Sequence, residues 1–224
     1  MIKVQISSPS YNGTIQQGAM LGVIQATYNP EIKTMLRICD CSSLTRTFNT
    51  LWCHALNDRP EITHFAMIHD DICPQPNWLD IMLSIMEKNN ADVVSAISPL
   101  KTTEGKTSTA FGTGELGEQR RILSMRAAYK GEPTITGDDL LVNTGLMLVD
   151  MRKPWVEKVC FKFESGIEKG ADGKFFPVEV SEDWIFSREA KKLGAKLVAT
   201  REVKLKHMGR AAYTNANAWG SIDA

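Results

Sequence analysis

The sequence predicts an α/β fold, a central, mainly parallel mixed sheet with helices on both faces, and three observations carry that expectation. Strand-type runs alternate with helix-type runs through the first hundred residues. The 224 residues, 43% of them hydrophobic, suffice for one full core, so residues 1–224 read as a single domain. One apolar run, Phe65 to Ile68, stops abruptly at His69-Asp70-Asp71 just before Pro74. That is the pattern of a buried strand reaching the rim of a sheet, where open α/β sheets bind ligands.

Each element has a local reason. Ile2, Val4 and Ile6 alternate with Lys3 and Gln5, then the chain enters Ser7-Ser8-Pro9-Ser10-Tyr11-Asn12-Gly13 and a helix from about Ile15 to Gln25. Such a loop is either an ordinary turn or a ligand cradle. Thr34 to Cys39 forms a second strand closing at Asp40, and Ser42-Ser43 offers an N-cap to a helix with Leu44, Phe48, Leu51 or Trp52, and Leu56 on its apolar face. Arg46 and Asn49 lie three apart on that helix; they share a face that either meets solvent or holds a diphosphate or base edge. The third strand carries the acidic end. Its alternation puts His69 and Asp71 on one side and Asp70 on the other, so that a divalent ion can be held there.

Pro76-Asn77 opens a helix through Leu79, Leu83 and Met86, and Asp92 to Ile97 is a fourth strand. The order breaks after Pro99. Residues 101–139 are rich in Thr, Gly and charge, with a weak apolar pattern at Ile122 to Ala128, and read as an insertion outside the core, mobile or functional. Structure resumes at Leu140 to Asp150, where Gly145 inside an apolar strand permits close approach of a ligand or backbone. Pro154-Trp155 starts a short helix and Lys169 to Gly173 makes a turn. Ser181 then caps a helix whose first turn holds Glu182 and Asp183, whose inward stripe is Phe186, Ala190 and Leu193, and whose stop is Gly194. Carboxylates at that position serve either the helix dipole or chemistry. Lys196 to Thr200 and Glu202 to Met208 are the last strands; Val203, Leu205 and His207 share a face, which taken alone reads as a core histidine.

Composition excludes several classes. The formal net charge is zero with 23% charged residues, so neither disorder nor a broad nucleic-acid-binding field is indicated; Arg120, Arg121, Arg126 and Lys130 offer only a local basic patch. No apolar run approaches the ~20 residues of a membrane span, and Met1 to Ser7 is a strand pattern without a secretory core, so a soluble, cytoplasmic protein is expected. The five cysteines form no disulfide framework and read as reduced thiols; Cys39 and Cys41 lack the second pair that a zinc site needs.

The combination is more specific than its parts. An apolar strand ending in His69-Asp70-Asp71 with Pro74 nearby is followed by Asn143-Thr-Gly-Leu-Met-Leu-Val149, then Ser181-Glu-Asp-Trp-Ile-Phe-Ser-Arg-Glu-Ala-Lys-Lys-Leu-Gly194, then a strand and His207-Met-Gly. That order resembles nucleotide-sugar-dependent glycosyltransferases of the Rossmann-like GT-A fold, nearest to the inverting family-two type and its small viral and bacterial members. The likeness runs from about Ile2 to Arg210 and leaves 101–139 unmatched as a variable acceptor-side insertion.

The resemblance implies a transferase that moves a sugar from a nucleoside-diphosphate sugar, expected to be a UDP-sugar, to an acceptor hydroxyl with inversion. His69, Asp70 and Asp71 stand where the family has an Asp-x-Asp motif holding manganese or magnesium against the donor diphosphate. His69 replaces the first aspartate, and imidazole suits manganese better than magnesium. Asp183, with Glu182 beside it, matches the base that takes the acceptor's proton. His207 matches a metal-binding histidine, giving His69, Asp71 and His207 as the metal set. Ser8, Tyr11, Asn12, Asp40, Arg46, Asn49, Asp70, Gly145 and Arg210 fall where relatives hold the donor. The acceptor stays open among glycan, protein, lipid-linked sugar and modified base. Other classes fit less well. The first loop lacks the glycine fingerprint of a dinucleotide oxidoreductase. Four histidines are few for a metal-dependent phosphohydrolase, and a non-catalytic nucleotide-sugar module has no need of Glu182, Asp183 and His207 together.

Overall fold

The computed structural model describes residues 1–222. In chain order the elements are β1 (Ile2–Ser10), α1 (Gln17–Gln25), β2 (Ile32–Asp40), α2 (Leu44–Asn57), β3 (His64–Ile68), β4 (Ile72–Pro74), α3 (Trp78–Asn89) and β5 (Val93–Ala96). They continue with β6 (Lys106–Phe111), β7 (Arg121–Ser124), α4 (Met125–Lys130), β8 (Thr134–Ile135), β9 (Leu140–Leu141) and β10 (Leu146–Asp150). The remainder is β11 (Glu164–Lys169), β12 (Phe175–Val180), α5 (Glu182–Lys192), β13 (Leu197–Thr200), β14 (Leu205–Met208) and β15 (Ala212–Thr214).

The main sheet has seven strands in the order β2-β1-β3-β10-β5-β13-β8. The pairs β1–β2, β1–β3 and β5–β13 are parallel, whereas β10 runs antiparallel to both its neighbours and β8 runs antiparallel to β13. Alternation along β3 divides the interior in two. Phe65 and Met67 join the layer under α2 and α5 with Phe48, Trp52, Val149, Phe161 and Phe186; Ala66 and Ile68 join the layer under α1 and α3 with Val4, Ile6, Val23, Trp78 and Met82. Burial of each of these large side chains contributes about 1.5–3 kcal/mol. Polar handles are satisfied: Trp52 Nε1 donates to the Val156 carbonyl at 3.2 Å and Trp78 Nε1 to that of Gly22 at 2.9 Å. The expected α/β class therefore holds, with helices on both faces.

Two expectations need correction, the placement of residues 101–139 and the capping of α2 and α5. Residues 101–139 are not outside the core: β6 pairs with β7 and β9, β8 closes the edge of the main sheet, and Thr107, Ala110, Leu123, Met125 and Ala128 are buried. The apolar positions are few because short strands bury small residues and threonines, whose hydroxyls bond locally, as Thr107 does to the Leu123 carbonyl at 2.8 Å. Residues 164–180 form a hairpin whose outer positions Ile167 and Phe175 are exposed, so its alternation carries no polar-outside signal. Ser43 and Ser181 occupy the N-cap positions of α2 and α5 with extended backbone, yet neither hydroxyl makes a capping hydrogen bond.

Candidate functional site

The carboxyl end of β3 and the start of antiparallel β10 meet at one edge of the sheet, with Ile68 opposite Leu146. The His69 N–H donates to the Gly145 carbonyl at 2.9 Å, so the loop after β3 and the turn before β10 are joined. Gly145 is close-packed there: a Cβ would lie 3.3 Å from Asn143 Oδ1 and 3.6 Å from Ile72. Asn143 is buried and fixes the turn by donating to the Ala96 carbonyl at 2.8 Å and accepting from Gly145 N–H at 3.1 Å.

The helix with the two carboxylates is seated against this turn by two contacts. Asp183 and Ser187 are one helical turn apart, about 6 Å along the axis, and meet Thr144 and Val142 of the segment between β9 and β10. Val142 N–H donates to Ser187 Oγ at 3.0 Å, and Thr144 donates to Asp183 Oδ1 from its N–H at 3.2 Å and from its hydroxyl at 2.5 Å. Burial, with the Glu182 carboxylate adding to it, pushes Asp183 up to about 7, against the lowering effect of Thr144. Burial also raises Glu182. Asp183 is thus poised to exchange a proton near neutral pH while keeping part of its surface open to solvent. Thr144 Oγ1 also lies 3.4 Å from His69 Nε2, which ties Asp183 to the acidic end of β3.

His69 packs at 5.2 Å against the Phe48 ring, and burial lowers it to about 4, so it is neutral at pH 7. Asp70 turns the other way, toward Ser10 and the Tyr11 N–H; burial raises its carboxyl above the ordinary value. Asp71 faces a third direction. β14 pairs with β4 so that His207 stands opposite Ile72, and Met208 N–H donates to the Asp71 carbonyl at 2.8 Å. Asp71 Oδ2 is ion-paired with Lys101, and Oδ1 lies 3.4 Å from His207 Nε2. Burial of Asp71 favours the neutral acid, but His207 and Lys101 outweigh it and hold the carboxyl well below the usual carboxylate range.

His207 Nδ1 lies 2.8 Å from the Pro99 carbonyl, which can only accept, so Nδ1 carries a proton and Nε2 is the ring nitrogen turned to Asp71. Opposite it, Asp71 Oδ1 is buried without a hydrogen-bond partner. An imidazole nitrogen beside an orphaned carboxylate oxygen is a donor set of the kind that suits a borderline cation such as manganese. The protein supplies only this pair. Among the described residues no group of three His, Cys, Asp or Glu side chains gathers to hold a metal, because His69 is turned to Thr144. Any ion there would need oxygens from the ligand to complete its shell.

The remaining expected donor contacts are dispersed. Ser8 is buried with its hydroxyl unpartnered, and Tyr11, Asp40, Arg46 and Arg210 are exposed. Asn12 Oδ1 is taken by Thr14, whose N–H and hydroxyl donate to it at 3.1 and 2.6 Å. Asn49 does not face a ligand: its amide group donates to the Phe161 carbonyl and accepts the Phe161 N–H, both at 2.8 Å, so it splices α2 to the chain before β11. Arg46 lines a groove along α2 with Thr45, Thr50, Cys53, His54 and Asn57. Two site residues escape sequence reasoning. Thr144 was visible only as the middle of a strand's polar interruption, and Lys101 stands two residues after Pro99 with no spacing that links it to Asp71.

No protein-family model matches this chain, and no curated protein matches it. Among solved structures, A197 from STIV aligns with a TM-score of 0.57 and 13% sequence identity, covering 93% of this chain and 86% of its own. UDP-glucose pyrophosphorylase complexed with UDP-glucose aligns at a TM-score of 0.45 and 12% identity, covering 92% of this chain and 93% of its own. Residues 1–349 of S. aureus TarS align at 0.46 and 12%, covering 90% of this chain and 58% of that one. The likeness to A197 is one of fold, and the α/β class expected from the sequence, a mixed central sheet with helices on both faces, is the class of this chain's fold. Among the described residues no helix is long and apolar enough to cross a membrane.

Proposed function

We propose that the protein transfers a sugar from a nucleoside-diphosphate sugar to an acceptor hydroxyl with inversion, Asp183 acting as the general base. The observation that carries this reading is a partly accessible carboxylate, raised to about 7, that is joined through Thr144 and His69 to an anionic corner suited to a cation. Transfer from a diphosphate needs those two functions on opposite sides of the reacting carbon. One group receives the acceptor's proton, and another stabilises negative charge growing on the leaving phosphate.

The chain's own residues have distinct tasks in this scheme. Asp183 takes the hydroxyl proton onto a carboxylate oxygen, and the Thr144 hydrogen bonds orient that carboxylate while moderating its basicity. Neutral His69 buttresses Thr144. Asp71 Oδ1 and His207 Nε2 would hold manganese or magnesium, which when bound supplies positive charge to the diphosphate. Asp70 stands near the loop after β1, within reach of a nucleoside seated between Ser10 and Tyr11. We assign the donor as a UDP-sugar, following the sequence resemblance.

Two measurements test the proposal. A panel of nucleotide sugars is assayed for hydrolysis and for transfer to glycan and lipid-linked acceptors; release of nucleoside diphosphate from none of them would refute it. Calorimetry with uridine and guanosine diphosphates, with and without manganese, tests the ion: affinity indifferent to a chelator would remove the metal from the scheme.

A further inference from the structure

Lys101 is anchored at the backbone before it and along its stem, and only Asp71 holds its ammonium among the described residues. Its ammonium pairs with Asp71 Oδ2, although 39% of the lysine side chain remains exposed. Its stem lies over Gly209: a Cβ at that glycine would come within 3.0 Å of Lys101 Cδ and 3.4 Å of Cγ, so the missing side chain forms the slot. The backbone just before it is fastened as well, since the Pro99 carbonyl accepts from His207 Nδ1 and the Leu100 N–H donates to the Lys106 carbonyl at 2.8 Å. One carboxylate therefore has a resident ammonium on one oxygen, while the other oxygen is buried without a hydrogen-bond partner, 3.4 Å from His207 Nε2.

Two cations cannot both neutralise one carboxylate fully. A divalent ion at Oδ1 withdraws charge from Asp71 and repels an ammonium a few ångströms away. A lysine on a flexible stem, with no other acceptor binding its ammonium among the described residues, is free to swing onto an incoming anion. We propose that Lys101 is a tethered cation that occupies Asp71 in the donor-free protein, competes there with the divalent ion, and moves to the donor's diphosphate when that anion arrives. The inference rests on the reading of Asp71 and His207 as the ion site. It adds a built-in order: the ion binds poorly alone and well together with the diphosphate, because only the diphosphate gives the displaced ammonium a new partner.

The test uses the full chain and manganese as the probe, with free ion read by electron paramagnetic resonance in the absence of nucleotide. Lys101→Met keeps the stem and removes the charge. It should bind manganese about tenfold more tightly than the parent chain, and should bind uridine diphosphate at saturating manganese about tenfold more weakly. Unchanged melting temperature checks the fold. If Lys101→Met binds manganese no better than the parent, whether both bind or neither does, the competition is overturned. If its diphosphate affinity is unchanged, the transfer of the ammonium is overturned. Asp71→Asn separates this from the underlying reading: loss of manganese binding in Asp71→Asn with no effect of Lys101→Met leaves the ion site standing and removes the lysine's role, whereas Asp71→Asn binding like the parent removes the ion site itself.

Discussion

Replacing Asp183 by Asn separates chemistry from stability in one variant. The amide keeps an oxygen to accept both Thr144 hydrogen bonds but cannot take a proton at neutral pH. Loss of a general base costs ~100- to 10,000-fold in rate, so transfer should fall by that range while binding of uridine diphosphate stays within about twofold. Stability should move the opposite way. The carboxyl is raised from 3.8 unfolded to about 7 folded. Its contribution to stability is therefore fully present below about pH 4, is lost as pH rises, and is gone once the folded group ionises above about pH 7. At ~1.4 kcal/mol per pH unit the ceiling of that loss is about 4 kcal/mol, and the carboxyl's partial access to solvent lowers the expected value to about 1–3 kcal/mol. Asp183→Asn should thus melt higher than the parent chain at pH 8 and lose this advantage at pH 4. The acid limb of kcat/KM in the parent should lie near pH 7. Near-normal transfer by the variant, or equal melting temperatures at pH 8 together with an acid limb near pH 4, would show that Asp183 is only a helix-terminus carboxylate.

Other outcomes follow from the same geometry. Thr144→Val removes the hydroxyl that lowers Asp183, so the acid limb should move to higher pH and activity at pH 6.5 should fall more than at pH 9, as a pH–rate profile would show. Asp71→Asn should weaken both diphosphate binding and transfer, because that oxygen serves the donor and not the proton; calorimetry and transfer assays check the pair of effects. Arg188 is 8% exposed at its side chain and gathers the Gly114 carbonyl with Glu115, Glu164 and Glu189, so Arg188→Met should cost about 1–3 kcal/mol in denaturant unfolding. Hydrogen exchange should find β6 nearly as protected as the main sheet, since Thr107, Thr109 and Ala110 are buried, while residues 112–120 exchange faster.

Much of the fold was legible because strand and helix periodicities are local. Phe65 to Ile68 signalled a doubly buried strand, and the helix begun at Glu182 lies where its capping pattern put it, although Ser181 caps by backbone geometry alone. The acidic end of β3 and His207 pointed to a candidate site only in combination, since a histidine next to the last residue of a short strand carries no chemistry by itself. What sequence could not supply is direction. Alternation put His69 and Asp71 on one side, whereas the loop after Ile68 turns His69 to Thr144, Asp70 to Ser10 and Asp71 to Lys101. Lys101 was invisible for the same reason: an ion pair spanning thirty positions leaves no periodic trace. Asn49 misled because its use is also nonlocal, its amide serving the backbone of Phe161.

The placement of β10 also governs how the chain can be assembled. This strand, residues 146–150, wedges between β3 and β5, which are made from residues 64–68 and 93–96, and β5 then waits for β13 at 197–200 to cover its other side. The middle of the sheet is consequently closed last, by segments that loops of fifty to a hundred residues must bring back. Loop closure of that length adds entropy before any contact returns it, which points to slow, all-or-none folding. A fragment ending near residue 100 would leave β3 and β5 with bare edges on both sides of a gap, ready to pair with other chains. For production of this protein from a ribosome, the hazard lies in the interval between emergence of β5 and arrival of β10, and shielding of those edges by a chaperone would raise yield more than any change at the surface.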